Sequence, residues 1–166
     1  MSYTSTWTTT RTQTATHLTD VIMGAVADIL ASLRIDLTTL YRDWEQDENA
    51  IRAWIEEGSL SAVVLECHQS SGAVAPVMEF PVAYTSGVGN AEFTASRARM
   101  ARFLAKLDGV PSGTTYRLFC TFNGPRTPQP GWSPGTRAST DGLRSLSYGT
   151  LGAAPDATAS MRYLYK

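Results

Sequence analysis

Apolar positions repeat with two different periods along this chain, and the switches between them mark its elements. Leu18, Val21, Ile22, Ala25, Ile29 and Leu33 recur at spacings of three and four, which puts them on one helical face. Thr10 followed by Gln13 is a capping-box pattern, so this helix is expected to open there. The threonine-rich stretch from Tyr3 to Thr10 reads as a short strand. Asp36 is expected to cap a helical turn through Leu37, Leu40 and Tyr41. Asp47 begins a second helix, with Ile51, Trp54 and Ile55 inward and Gly58 as its left-handed stop.

The period then shortens to two. Leu60 to Gln69 and Val74 to Tyr84 flank a Ser70-Ser71-Gly72 turn and read as a hairpin. Both faces of the first strand are apolar, which predicts a central strand covered on each side. The second carries Pro76 and Pro81, which cannot donate to a ladder and predict a sheet edge. Asn90 is expected to cap a third helix, with Phe93, Met100, Phe103, Leu104 and Leu107 as its buried stripe. Thr114 to Phe122 alternates strictly and reads as a strand. Pro125, Pro128, Pro130 and Pro134 interleave with Gly131 and Gly135 in a stiff but jointed connector. Leu143 to Thr150 is a weak strand, Leu151 to Asp156 a loop, and Ala159 to Tyr165 a final strand.

Composition narrows the class. A chain of 166 residues fits one domain, with 123 residues of α/β core before the β tail that starts at Gly124. Its 43% apolar content supports a real core. No run approaches the length of a membrane span, and Met1 to Thr16 lacks the layout of a secretory signal, so a cytoplasmic protein is expected. The net charge of −1 gives no basic field to draw nucleic acid, but the charge is uneven. Arg34 to Glu66 holds eight acids against three arginines, while the tail holds four arginines and one lysine against two aspartates. Cys67 and Cys120 read as buried free thiols.

Catalytic chemistry is sparse. His17 and His68 have no partners at metal-site spacings, so neither a metal nor a cofactor is expected. Glu66 and His68 share a strand face, which leaves a small acid/base enzyme as one alternative; Cys67 points the other way. A second alternative is a nucleic-acid module that uses Trp132, Tyr148, Tyr163 and Tyr165 beside Arg137 and Arg144. No phosphate loop or nucleophile elbow appears.

The hairpin VVLECHQSSGAVAPVMEFPV resembles the signature hairpin of HORMA domains. THLTDVIMGAVADIL, DWEQDENAIRAWI, TTYRLFCTFNG and PGWSPGTRAST resemble the bacterial branch of that family, in an order that covers nearly the whole chain. The resemblance implies an α+β fold: a central antiparallel sheet backed by three helices, with a C-terminal β safety belt over residues 124–166. It implies a non-enzymatic peptide clamp, in which the belt wraps a closure-motif peptide that adds to the sheet as a strand. Carried over by position, peptide contacts fall to Arg117, Phe119 and Thr121 and to the belt residues Trp132, Leu143 and Tyr148. The resemblance also implies a cGAS-like nucleotidyltransferase partner in anti-phage signalling of the CBASS type, with Asp43, Glu45 and Asp47 as a docking patch. An AAA+ ATPase is implied to act on the N-terminus, Met1 to Arg11.

Overall fold

The structure is a computed structural model that describes residues 3–85, 93–133 and 135–166, with side chains from Thr10 onward. The described elements run α1 (Tyr3–Ser32), α2 (Thr38–Arg42), α3 (Trp44–Glu57), β1 (Leu60–His68), β2 (Val74–Tyr84), β3 (Thr94–Ala95), α4 (Arg97–Ala105), β4 (Thr115–Phe122), β5 (Arg144–Ala154) and β6 (Ala157–Tyr165). The strands form one antiparallel sheet in the order β3-β5-β6-β2-β1-β4. This is the expected α+β class, with α1, α3 and α4 as the longer helices and the short α2 between them.

The helices cover one face of the sheet. Leu18, Ile22 and Ile29 of α1 and Ile51 and Trp54 of α3 meet Val63, Leu65 and Cys67 of β1 in a single core. Each fully buried apolar side chain of this kind contributes about 1.5–3 kcal/mol. Gly58 ends α3 at φ +82°, a left-handed conformation that glycine adopts without steric cost. Asp36 accepts from the backbone and hydroxyl of Thr38 at 3.0 and 2.7 Å and so shapes the entry to α2. That bonding, the Thr38 hydroxyl first and its amide second, holds the Asp36 carboxyl below the usual range.

Three local expectations are corrected. Tyr3 to Thr10 is helix, continuous with the rest of α1, and the capping-box start at Thr10 does not form. Threonine tolerates a helix where its hydroxyl bonds back one turn, as Thr16 does to Thr12 O at 3.1 Å. The Pro76 and Pro81 strand, β2, is not an edge: it lies between β1 and β6. Pro81 falls where the β2–β6 pairing passes from Glu79↔Arg162 to Val82↔Ala159, and Pro76 precedes its first pair, Val77↔Leu164. Pro76 also sits at the β1–β2 irregularity between Glu66 and His68. Leu151 to Asp156 is mostly strand, reduced to a tight turn at Pro155 and Asp156. The Asn90 cap lies outside the described residues.

Candidate functional site

β4 is the sheet edge on the side away from the C-terminal hairpin, and β1 is its only strand neighbour among the described residues. Successive β4 side chains face opposite sides. Tyr116, Leu118, Cys120 and Phe122 join the helix-side core. Phe119 joins Val64, Val77 and Leu164 on the other face.

The connector between β4 and β5 passes around this edge. It first runs along α3, where Thr127 N donates to Glu57 at 3.1 Å and Thr127 O accepts from the Trp54 indole at 2.8 Å. Gly131 then lies against the Gln46 side chain at φ +81°, a contact and a conformation that a side chain there would oppose. Trp132 packs edge-on against Trp54, with ring centroids 5.4 Å apart, and also touches the apolar cluster on the far face. From there the connector crosses over. Arg117 donates to Thr136 O at 3.2 Å, and the Ala138 amide donates to Glu66 at 2.8 Å.

Two cavities lie between the connector and β4. The larger, about 420 Å³, is lined by Tyr116 and Leu118 of β4, by Asp43 and Asp47 of the α3 start, and by Gly131 and Trp132. The smaller, about 180 Å³, is lined by Trp54, Phe119, Phe122, Arg126 and Trp132. Trp132 Nε1 is sealed from solvent and has no acceptor among the described residues, while the residue itself lines both cavities.

The larger cavity is electronegative. Burial, aided by the like charge of Asp43, pushes Asp47 up to about 6. Desolvation also raises the Tyr116 hydroxyl, with Asp47, Asp43 and Asp36 adding to the shift and Arg42 opposing it. Asp43 is paired with Arg42 at 3.0 Å. Asp47 has no cation partner among the described residues.

A different set of charges holds the hairpin on the opposite side. Glu79 of β2, nearly buried, takes Arg162 of β6 at 2.6 Å and Arg137 of the connector at 3.0 Å. Glu66 is fully buried, with His68 Nε2 at 3.1 Å and the Ala138 amide on its other oxygen. Thus Glu66 and His68 do meet, but under the connector, and neither lines either cavity. Asp156 at the β5–β6 turn is fully buried against α1. It forms an ion pair with Arg11 Nε at 2.7 Å and accepts from the Thr14 hydroxyl. Burial pushes the Cys67 thiol up to about 12, and burial with the charge of Asp47, opposed by Arg126, also raises Cys120, which favours the protonated thiol at both positions.

The residues singled out in the sequence divide by position. Arg117, Phe119 and Thr121 are on β4, with Arg117 and Phe119 turned to the face the connector crosses. Trp132 lines both cavities. Leu143 packs on the far-face cluster with Val64 and Val77. Tyr148 packs against α4, its hydroxyl 3.3 Å from Ser96 O and its ring on Phe103. It stands on β5, across β6, β2 and β1 from the β4 edge. Asp43 and Asp47 line the larger cavity, and Glu45 is exposed. The sequence reading missed Tyr116 and Leu118 as cavity walls, and Glu79 and Asp156 as anchors; the strand alternation contained the signal for the first pair alone.

A family model for bacterial HORMA domain 2 matches residues 2–166. No curated protein matches the chain in sequence. Several solved structures share its fold. A chain of the mitotic checkpoint complex superposes with a TM-score of 0.74 at 10% identity, over 92% of this chain and 98% of its own. C. elegans HTP-1 bound to the HIM-3 closure motif gives 0.66 at 14% identity, over 89% of this chain and 87% of its own. A chain of the E. coli MS115-1 CdnC:HORMA-deltaN complex gives 0.62 at 12% identity, over 93% and 89%.

Proposed function

Because this chain belongs to the bacterial HORMA domain 2 family, we propose that it is a peptide-binding adaptor whose free β4 edge takes a guest strand. One observation supports this above the others: a strand edge without a partner among the described residues, flanked by two cavities and bordered by the connector. An exposed edge of this kind offers a row of backbone donors and acceptors. A short peptide added there gains main-chain hydrogen bonds from β4 and selectivity from the cavities.

In this reading, residues 124–166 are the safety belt and the described arrangement is its closed form. The belt lies on β2, held by Glu79, Glu66 and Asp156, so β4 is left for the guest. Arg117, Phe119 and Thr121 act through the β4 backbone, and Trp132 acts as the strap over the guest. The closed form docks a cGAS-like nucleotidyltransferase, with the exposed Glu45 as one contact. C. elegans HTP-1 in complex with a closure motif and the E. coli CdnC:HORMA complex support each half of the proposal by fold likeness. An ATPase that draws on the N-terminus would first break Arg11 and Thr14 from Asp156, and so loosen the belt tip.

The test is a library of displayed random decapeptides panned against the whole chain. Retained peptides are expected to slow protease cleavage of the 124–143 connector, because ordering removes the open backbone that cleavage needs. Retention of no peptide, or peptides that leave connector cleavage unchanged, would count against the adaptor reading.

A further inference from the structure

The two ends of the space beside β4 differ in charge, and neither charge is answered among the described residues. At the Tyr116 end, Asp36 is satisfied by Thr38 and Asp43 by Arg42. Glu48, on the same helix, is engaged by the Trp44 indole and Arg52. Of the three carboxylates that line the larger cavity, half-buried Asp47 alone has neither a side-chain hydrogen bond nor a cation among the described residues. At the other end stands Arg126, its guanidinium carbon 4.1 Å from the Phe122 ring centroid and 6.0 Å from that of Trp54. Among the described residues it has no carboxylate partner, and it lines the smaller cavity. Desolvation dominates the rise of the Cys120 thiol, and of the two charges that act on it Asp47 adds to the rise while Arg126 opposes it.

We infer that this channel selects its guest strand by charge order: a Lys or Arg side chain set against Asp47, and an acidic side chain or terminal carboxylate set against Arg126. The inference rests on the peptide reading above. A strand paired to β4 repeats its facing every second residue, so two guest side chains on one face, four residues and ~13 Å apart, reach from the Tyr116 level to the Cys120 level. A desolvated carboxylate gains more from a matching cation than a solvated one does. The unpaired Asp47 is costly in the free chain and favourable in the complex. Trp132, which lines both cavities, bounds the guest's path between the two ends. Asp47 and Arg126 are thus specificity determinants, while the β4 backbone supplies the shared affinity.

The decapeptides retained by the whole chain give the test. Their sequences are expected to share a basic residue and, about four positions away, an acidic residue or the free C-terminus. Asp47→Asn is expected to weaken the best such peptide about tenfold. The same peptide with Gln for its basic residue is expected to bind Asp47→Asn and the unaltered chain equally. Asp47→Lys is expected to reverse the preference at that position from basic to acidic. Thermal melting of each variant verifies that it is folded, and Arg126→Gln offers an independent probe of the other end. Retained peptides without a fixed basic position, or a basic preference that survives Asp47→Asn, would overturn the inference and leave the peptide reading standing. Retention of no peptide at all would overturn the peptide reading beneath it.

Discussion

The two faces of the sheet are built from different materials. The centre of the helix face is apolar: Trp54, Ile51, Leu18 and Ile22 close on Val63, Leu65, Met78 and Phe80, all nearly or wholly buried. The connector face has a small apolar cluster of Val64, Val77, Phe119 and Leu164, and beside it the carboxylates Glu66 and Glu79 with their arginine, histidine and amide partners. Apolar burial is non-directional and large, so the helix face makes a permanent body. Ion pairs that keep one partner near solvent contribute little net stability but fix geometry. A segment held in this way can be placed accurately and still be removed. The difference assigns stability to one face and control to the other.

Substitutions should separate the two. Trp54→Ala empties the centre of the helix face and removes the indole bond to Thr127 O. It is expected to cost about 3–5 kcal/mol and to lower denaturant resistance throughout the chain. Glu79→Ala is expected to cost less, about 2 kcal/mol, because Arg137 and Arg162 can turn to solvent. Its effect should be local: faster hydrogen exchange in β6, with β1 and α3 unchanged. Equal loss of protection in both regions would erase the distinction between the faces.

The smallest effect concerns Asp47, which titrates near 6 in the folded chain against an ordinary 3.8. Between those values the folded state holds more proton than the unfolded one, so stability falls as pH rises through them. Asp47→Asn should therefore be neutral at pH 3.5 and stabilising by about 1 kcal/mol at pH 7, a figure discounted for solvent screening of the half-exposed carboxylate. Melting temperatures of both proteins across this range supply the measurement. A gain of equal size at both pH values would show that the carboxylate carries no such strain.

Much of this fold was legible because its elements are strongly periodic. The α1 stripe, the β1 run with two apolar faces and the alternation of Thr115–Phe122 are local signals that tertiary packing did not override. The ordered set of segments that resembled HORMA domains added the C-terminal hairpin's role as an expectation. The misreadings have physical causes. The Tyr3–Thr10 threonines favour strand by propensity, but they extend a helix whose neighbouring turn is tied to Asp156 by Arg11 and Thr14. Pro81 marked an interruption of the β2–β6 pairing and Pro76 the irregularity beside β1, yet such interruptions also occur inside a sheet. The site was harder to read. Alternation assigns Tyr116 and Phe119 to opposite faces without saying which face borders a cavity. Tyr148 joined the candidate contacts only because it follows the connector, and its path to α4 depends on a strand order that no local pattern encodes.

The central claim is that β4 is a vacant edge awaiting a strand, and amide hydrogen exchange across Thr115–Phe122 tests it most directly. With a retained decapeptide bound, the outward amides of β4 should become strongly protected, while those of β5 and β6 stay at their initial rates. Protection that arises instead along β5, or a β4 already protected without peptide, would contradict the account.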